Sequence, residues 1–404
     1  MKKADPDCLK RRIVVAVSDD LLTDQRVQRA CDTMHTAGYE VLLVGRAWPD
    51  RSPLRKPYQS VKMRLLFRRS PLFYAEFNMR LFMKLLFTKA DVFYANDSDT
   101  LLAVGLAARL RRRPFVFDGH ELFPDVPELV GKPFVRKVWR WIERRFIPKA
   151  AACITVNKSV ADEYRRRYGV EFGVVRNLSA VGNPGESNLP GCSGYSGFSE
   201  DFNLPETLKF KIQQSKFLLY QGAVNKGRCI KELIDAMEFL PDYRFVIAGG
   251  GDLLDAMKRY AVAKPYSERV EFTGRIKPDE LRKLTPQASL GFCLMENMGL
   301  NYYLSLPNRI GDYAAAGVPV LGNDFPEIKR VIDRHHIGTF IGEEVIYNPQ
   351  KLAAVIDKTV KEWASMIIDE RQARFASAGE DMSWKNEQKK LLAYIDTIFV
   401  KNLS

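Results

Sequence analysis

The segment RRIVVAVSDDLLTDQRVQRACDTMHTAGYEVLLVGR, residues 11–46, decides how the rest of the chain is read. Ile13–Val17 is an unbroken apolar run, the mark of a strand covered on both faces in a parallel sheet. From Asp24 the residues read as a helix that Gly38 can stop, and a second apolar run follows over Val41–Val44. A β-α-β unit is therefore predicted at the outset. The alternation continues through ADVFYAND (90–97), RPFVFDGHE (113–121) and AACITVN (151–157), with helical segments such as TLLAVGLAARL (100–110) between them. Residues 183–210 are instead rich in Gly, Ser, Pro and Asn and are expected to be a linker. Beyond them the pattern restarts: KFLLYQGAV, IKELIDAMEFL, YRFVIAGGGD, RVEFTGRI, SLGFCLM and VPVLGND alternate strand and helix. The expectation is α/β throughout: a doubly wound domain over 1–182, a second over 211–380, and a helix over 381–404 packing back towards the first. Two such domains facing each other would enclose a ligand cleft.

Composition narrows the function. At 404 residues, with 46% hydrophobic and 27% charged residues, the chain is an ordinary globular protein of about two or three domains. A net charge of +13 asks for an acidic partner. Six scattered cysteines without C-x-x-C, and only four histidines, indicate neither a disulfide framework nor a zinc site. Reduced thiols in the cytoplasm are expected. Residues 1–17 lack the apolar core of a signal peptide, and no run of about twenty uncharged apolar residues occurs.

Three stretches of the second domain carry anion-binding chemistry. QGAVNKGRC places Gly222, Lys226, Gly227 and Arg228 where a strand empties into a helix, which suits a diphosphate or, alternatively, a turn with solvated basic side chains. In AGGGD, Gly249, Gly250 and Gly251 permit close backbone approach after a strand, although the run is not a G-x-G-x-x-G fingerprint. In SLPNRIGDYAAAGVPVL (305–321), Ser305 is expected to cap a helix with Pro307 in its first turn, and Gly317 with Pro319 to end it. That N-terminus would offer free N–H groups to an anion, and the alanines would let the helix lie close on the sheet.

Together with SWKNEQKKLLAYI near the end, these stretches resemble the GT-B glycosyltransferases of the large retaining family four. TDQRVQRACDTMHTAGYEVLLVG, FDGHELFPD and CITVNKSVADEYRRRYG resemble that family's acceptor-side domain, so the resemblance covers nearly the whole chain. It implies GT-B architecture, two doubly wound Rossmann-like domains, with the second holding a nucleotide-diphosphate sugar and the first presenting an acceptor. It implies a hexosyltransferase-type enzyme in which Arg228, helped by Lys226, stabilises the departing diphosphate, with no metal or other cofactor required. Gly222, the three glycines 249–251 and Arg275 would lie on the donor side. So would Ser305, Leu306, Asn308 and Asp312. Many family members carry two glutamates eight positions apart. Here the second position is Asp312 and the first is Leu304, so Asn301 or Glu296 could compensate. His120 would contact the donor sugar, with Asp118 and Glu121 able to orient it, while Asp24, Arg26 and Glu121 would lie on the acceptor side.

Two stretches, 62–89 and 132–149, mix aromatic with basic residues. In the second, Val135, Val138, Ile142 and Phe146 form one helical stripe flanked by Arg136, Lys137, Arg140 and Arg144, which suits an anionic membrane surface or a core helix with a solvated basic face. The expected activity is retaining transfer of a sugar to a polysaccharide or lipid-linked glycan at the inner face of the cytoplasmic membrane. The rivals are a sugar-nucleotide epimerase of the same architecture and a catalytically silent binding scaffold. Nucleic acid is not expected as a partner, because no recognisable module accompanies the charge.

Overall fold

The computed structural model of the protein describes residues 11–21, 24–47, 56–67, 70–178 and 216–401. The expected linker at 183–210 lies outside them, as do Cys8 and Cys192. The described residues fall into two compact units. One takes those up to Asn177, Gly299–Asn301 and those from Lys385 onward; the other takes Leu178–Met298 and Tyr302–Trp384.

The first unit is a seven-stranded parallel sheet of β1 (Arg12–Asp20), β2 (Glu40–Arg46), β3 (Gln59–Met63), β4 (Val92–Asn96), β5 (Phe115–Gly119), β6 (Ala152–Thr155) and β7 (Gly173–Val174). Their order is β3-β2-β1-β4-β5-β6-β7. Its helices are α1 (Gln25–Thr36), α2 (Ser70–Leu86), α3 (Ser98–Arg111), α4 (Pro133–Phe146) and α5 (Lys158–Tyr168). The opening segment forms as its sequence dictates. Ile13–Val17 are buried, Asp24 Oδ1 accepts from Val27 N–H at 3.0 Å to cap α1, and Gly38 takes φ +98 beyond its end.

The buried face of α4 differs from the expected stripe. Trp139, Ile142, Glu143 and Phe146 point inward, where Trp139 meets Tyr74 and Phe123 edge-on at 5.2 and 4.9 Å. Val138 faces outward with Phe134 and Trp141. Trp139, read as part of the aromatic-basic mixture, fills the inner face because its large ring buries the most area there. Arg136 and Arg140 both pair with the buried carboxylate of Asp125, Arg140 remaining exposed. Lys137 and Arg144 are exposed.

The second unit is a six-stranded parallel sheet of β8 (Lys216–Gln221), β9 (Tyr243–Ala248), β10 (Val270–Gly274), β11 (Leu290–Cys293), β12 (Val320–Asn323) and β13 (Gly338–Ile341), ordered β10-β9-β8-β11-β12-β13. Along this half of the chain run α6 (Ile230–Ala236), α7 (Leu254–Val262), α8 (Pro278–Leu284), α9 (Leu300–Tyr303), α10 (Arg309–Ala315), α11 (Pro326–His335), α12 (Glu343–Ile346), α13 (Pro349–Ser365), α14 (Ile368–Asp381) and α15 (Trp384–Lys401). Two apolar clusters, one including Tyr313 and Phe325 and the other Leu233 and Ile356, form its core.

Most of α15 belongs to the first unit. Its Glu387 is fully buried, accepts from Arg176 N–H at 2.9 Å and pairs with the Arg176 guanidinium at 2.8 Å. Phe399 stacks on Tyr39 at 5.5 Å, and the Tyr394 ring occupies the space that a side chain at Gly173 would need. Among the described residues no helix is long and apolar enough to cross a membrane.

Candidate functional site

In the second sheet the strand order reverses between β8 and β11, so the loops leaving these two strands diverge, the usual ligand position in an open α/β sheet. The loop after β8 turns through Gly222 at φ +135 and Gly227 at φ +80. Gly222 N–H donates to Ala248 O at 3.0 Å, and Val224 N–H to Gly250 O at 3.0 Å. A Cβ on Gly249 would fall well inside contact distance of Gly222 O, and one on Gly251 would meet Val224 and Asn225. The glycine run therefore lets two backbone loops touch. Gly250 lies against the side chain of Arg275, which is exposed.

Arg228 follows this loop. Its guanidinium stacks over the Tyr302 ring at 4.8 Å and Nη1 lies 3.0 Å from Met295 Sδ. Nε is buried without a hydrogen-bond partner. Burial pulls its pKa down, and the charge of Arg309 pulls it further. Lys226 is exposed. Met295 is itself fixed by Asn323, whose Nδ2 donates to Met295 O at 2.9 Å while Oδ1 accepts from Met295 N–H at 2.6 Å.

The segment before α10 departs from expectation. The helix begins at Arg309, and Ser305 does not cap it, because Ser305 Oγ donates to Tyr302 O at 2.9 Å. The N–H groups of Ile310 and Gly311 are satisfied by Pro307 O and Asn308 O, so two of the N–H groups expected to be open at this helix start are engaged. Leu306 packs on the core, and Asn308 is exposed. Asp312 Oδ2 accepts from Gln221 Nε2 at 3.2 Å at the end of β8. Asn301 does not replace the missing carboxylate at Leu304: its Oδ1 accepts from Leu122 N–H at 2.9 Å and its Nδ2 donates to Glu121 at 3.1 Å, both inside the first unit.

The residue that sequence reasoning missed is Arg309. It is 7% exposed, its guanidinium lies over the Tyr220 ring at 4.7 Å, and Nη1 donates to Gln221 O at 3.3 Å. Burial works against its charge, while Tyr220 and Cys293 work for it.

In the first unit the order reverses between β1 and β4, and the ends of β4 and β5 bring Asp97, Asp118, His120 and Glu121 together. His120 Nδ1 is 3.1 Å from Asp97 Oδ2 and Nε2 is 3.5 Å from Asp118 Oδ2. Although burial opposes it, these two carboxylates raise the His120 pKa well above 6.5. Asp97 also accepts from His120 N–H at 2.6 Å, with a strained backbone at φ 58, ψ 169. Nothing in the apolar run before Asp97 signals this role.

Arg26 corrects another expectation. It is 3% exposed, binds both oxygens of Asp118 and donates from Nη1 to Val175 O at 2.7 Å, so it neutralises a buried carboxylate and offers nothing outward. Asp118 is held below the usual carboxylate range, the Arg26 and His120 charges outweighing its burial. Asp24 is engaged as the α1 cap, and burial raises its pKa. Burial and the nearby Asp97 push Glu121 up to about 7.

The family model for Glycosyltransferase Family 4 matches residues 24–177, and that for Glycosyl transferases group 1 matches residues 206–382. An uncharacterized glycosyltransferase of Methanocaldococcus jannaschii is 23% identical over 242 residues, 59% of this chain and 57% of that protein. The match thus spans little more than half the length of that relative. Among solved structures, sucrose-phosphate synthase from Thermosynechococcus elongatus superposes with a TM-score of 0.70 at 14% identity, covering 97% of this chain and 100% of the other. HepE of Anabaena, in complex with UDP, gives a TM-score of 0.68 at 14% identity, covering 96% of this chain and 100% of the other. At these identities the likeness is one of fold.

Proposed function

Because the chain belongs to the GT-B glycosyltransferases that join a Family 4 region to a group 1 region, a nucleotide-sugar-dependent family, we propose that it transfers a sugar from a nucleotide-diphosphate donor to a polysaccharide or lipid-linked glycan with retention. The observation that carries this reading is Arg228, a half-buried guanidinium at the switch point of the second sheet with no carboxylate within ion-pair distance among the described residues. Such a charge stabilises an anion that develops as the sugar–phosphate bond breaks. In the front-face mechanism the acceptor hydroxyl attacks C1 on the side the diphosphate leaves, and its proton passes to a departing phosphate oxygen, so no metal is required. His120 would supply a fixed positive charge, since a group ionised well above pH 6.5 is a poor base at neutral pH.

The test is calorimetric titration of wild type and Arg228→Ala with UDP, GDP, ADP and dTDP, followed by turnover of the matching sugar conjugates. One diphosphate should bind selectively and lose tenfold or more in affinity on substitution. Binding of none of them would overturn the donor reading. Binding with no turnover on any glycan would favour the silent scaffold, for which the apolar Leu304 and the engaged Asn301 speak.

The proposed acceptor sits at an anionic membrane on the cytoplasmic side. Leu72, Met79, Met83 and Phe87 on and after α2 are exposed, as are Phe134, Val138 and Trp141 on α4, beside Arg80, Lys84, Lys137 and Arg144. Lys137→Glu with Arg144→Glu should abolish sedimentation with phosphatidylglycerol vesicles, and unchanged sedimentation would end the membrane reading.

A further inference from the structure

The loop after β8 and the first residue of α10 place two arginines in one environment. Arg228 and Arg309 come from sequence positions far apart, and each lies over a tyrosine ring, Tyr302 and Tyr220 respectively. Each has a buried Nε without a hydrogen-bond partner, and neither has a carboxylate within 4 Å among the described residues. They are near enough for one charge to disfavour the other. A buried cation without a counter-ion is costly, and two that repel each other are more so.

Gly222 gives the second arginine its outlet. The loop is exposed there, the backbone stands at φ +135, and the place of a Cβ lies 3.3 Å from Arg309 Nη1. A side chain at 222 would cover the guanidinium, whereas the bare glycine leaves it beneath the rim of the loop. We infer that Arg309 is a second direct ligand of the donor diphosphate, reaching it through the opening at Gly222 while Arg228 holds it from the Tyr302 side. The inference rests on the donor reading above and adds a specific demand: affinity must reside in the diphosphate and depend on a residue 81 positions beyond Arg228 in the chain. The ligand supplies the negative charge that the protein withholds. Each guanidinium rests on a tyrosine ring that supports its charge without neutralising it, so the site is preorganised for a dianion.

The experiment measures the diphosphate selected by wild type and its matching nucleoside, by titration calorimetry, on wild type, Arg309→Met and Arg309→Lys, with the unfolding midpoint of each. Arg309→Met removes a buried charge that no carboxylate neutralises, loses its bond to Gln221 O, and fills the space with an apolar side chain, so the midpoint should change little. Diphosphate affinity should fall tenfold or more with nucleoside affinity unchanged. Arg309→Lys keeps a charge but not the fork, should fall less, and serves if the methionine variant does not fold. The inference is overturned if diphosphate affinity is unchanged. It is equally overturned if the midpoint drops while nucleoside and diphosphate weaken in proportion, the pattern of a structural residue. If wild type binds no nucleoside diphosphate at all, the donor reading itself fails and this inference with it.

Discussion

Single side chains in the first unit are set by burial and by unequal pairing. Asp97 gives up the capping of α3 to hold the imidazole and the backbone N–H of His120. In Asp97→Asn the largest charge raising the His120 pKa is lost, so it should fall towards 6.5 and become visible by NMR titration of the ring nitrogens. In wild type the raised value adds stability that is complete below pH 6.5 and is lost as pH rises through the folded pKa. Glu143 behaves alike from the acid side. Fully buried and hydrogen-bonded by Ser98 and Tyr168, it is pushed by burial from 4.5 up to about 7. The folded chain therefore keeps a proton that the unfolded chain releases, and stability should fall as pH rises from 4.5 to 7. At about 1.4 kcal/mol per unit, that window is worth roughly 3 kcal/mol. In Glu143→Gln the fall in denaturation midpoints across the same range should become shallower, Glu121 supplying what remains.

Whole elements were legible where an apolar run and its stop signals agreed, as they do for β1, α1 and β2. The start of α10 was not, because Ser305 and Pro307 carry the signs of a helix start while the serine hydroxyl is taken by Tyr302 O one turn earlier. Arg228 stood out in a glycine-bearing loop. Arg309 did not, since an arginine before an apolar helix ordinarily faces water, and only the fold buries it against β8. The inward face of α4 was misassigned for a similar reason: several apolar stripes fit one short helix, and Tyr74 and Phe123 select the one carrying Trp139. The glycine run after β9 gives the element-scale prediction. Gly249→Ala should destabilise by about 1–3 kcal/mol, as overpacked sites do, and should weaken nucleotide binding by displacing the loop that carries Arg228. A chemical denaturation midpoint equal to that of wild type would refute it.

At the scale of the molecule, the two sheets repeat one plan, each reversing its strand order between two inner strands near which charged side chains gather. The alternation of the sequence disclosed that repetition. The return of the last helix to the first unit depends on partners far upstream, and its decisive contact is buried Glu387 with Arg176. Removing residues 385–404 should strip Arg176 of that partner and expose β7. Amide hydrogens of β7 should then exchange faster while those of β8 and β9 keep their protection; equal protection in β7 would refute the dependence. A unit gathered from Asn177 and upstream, Gly299–Asn301 and the stretch after Trp384 corresponds to no single block of the gene. Fusions, split reporters and domain exchanges cut within the glycine-rich sequence 183–210 alone would thus separate codons whose products fold as one body, and chimaeras of this protein should carry the final twenty codons with the first half.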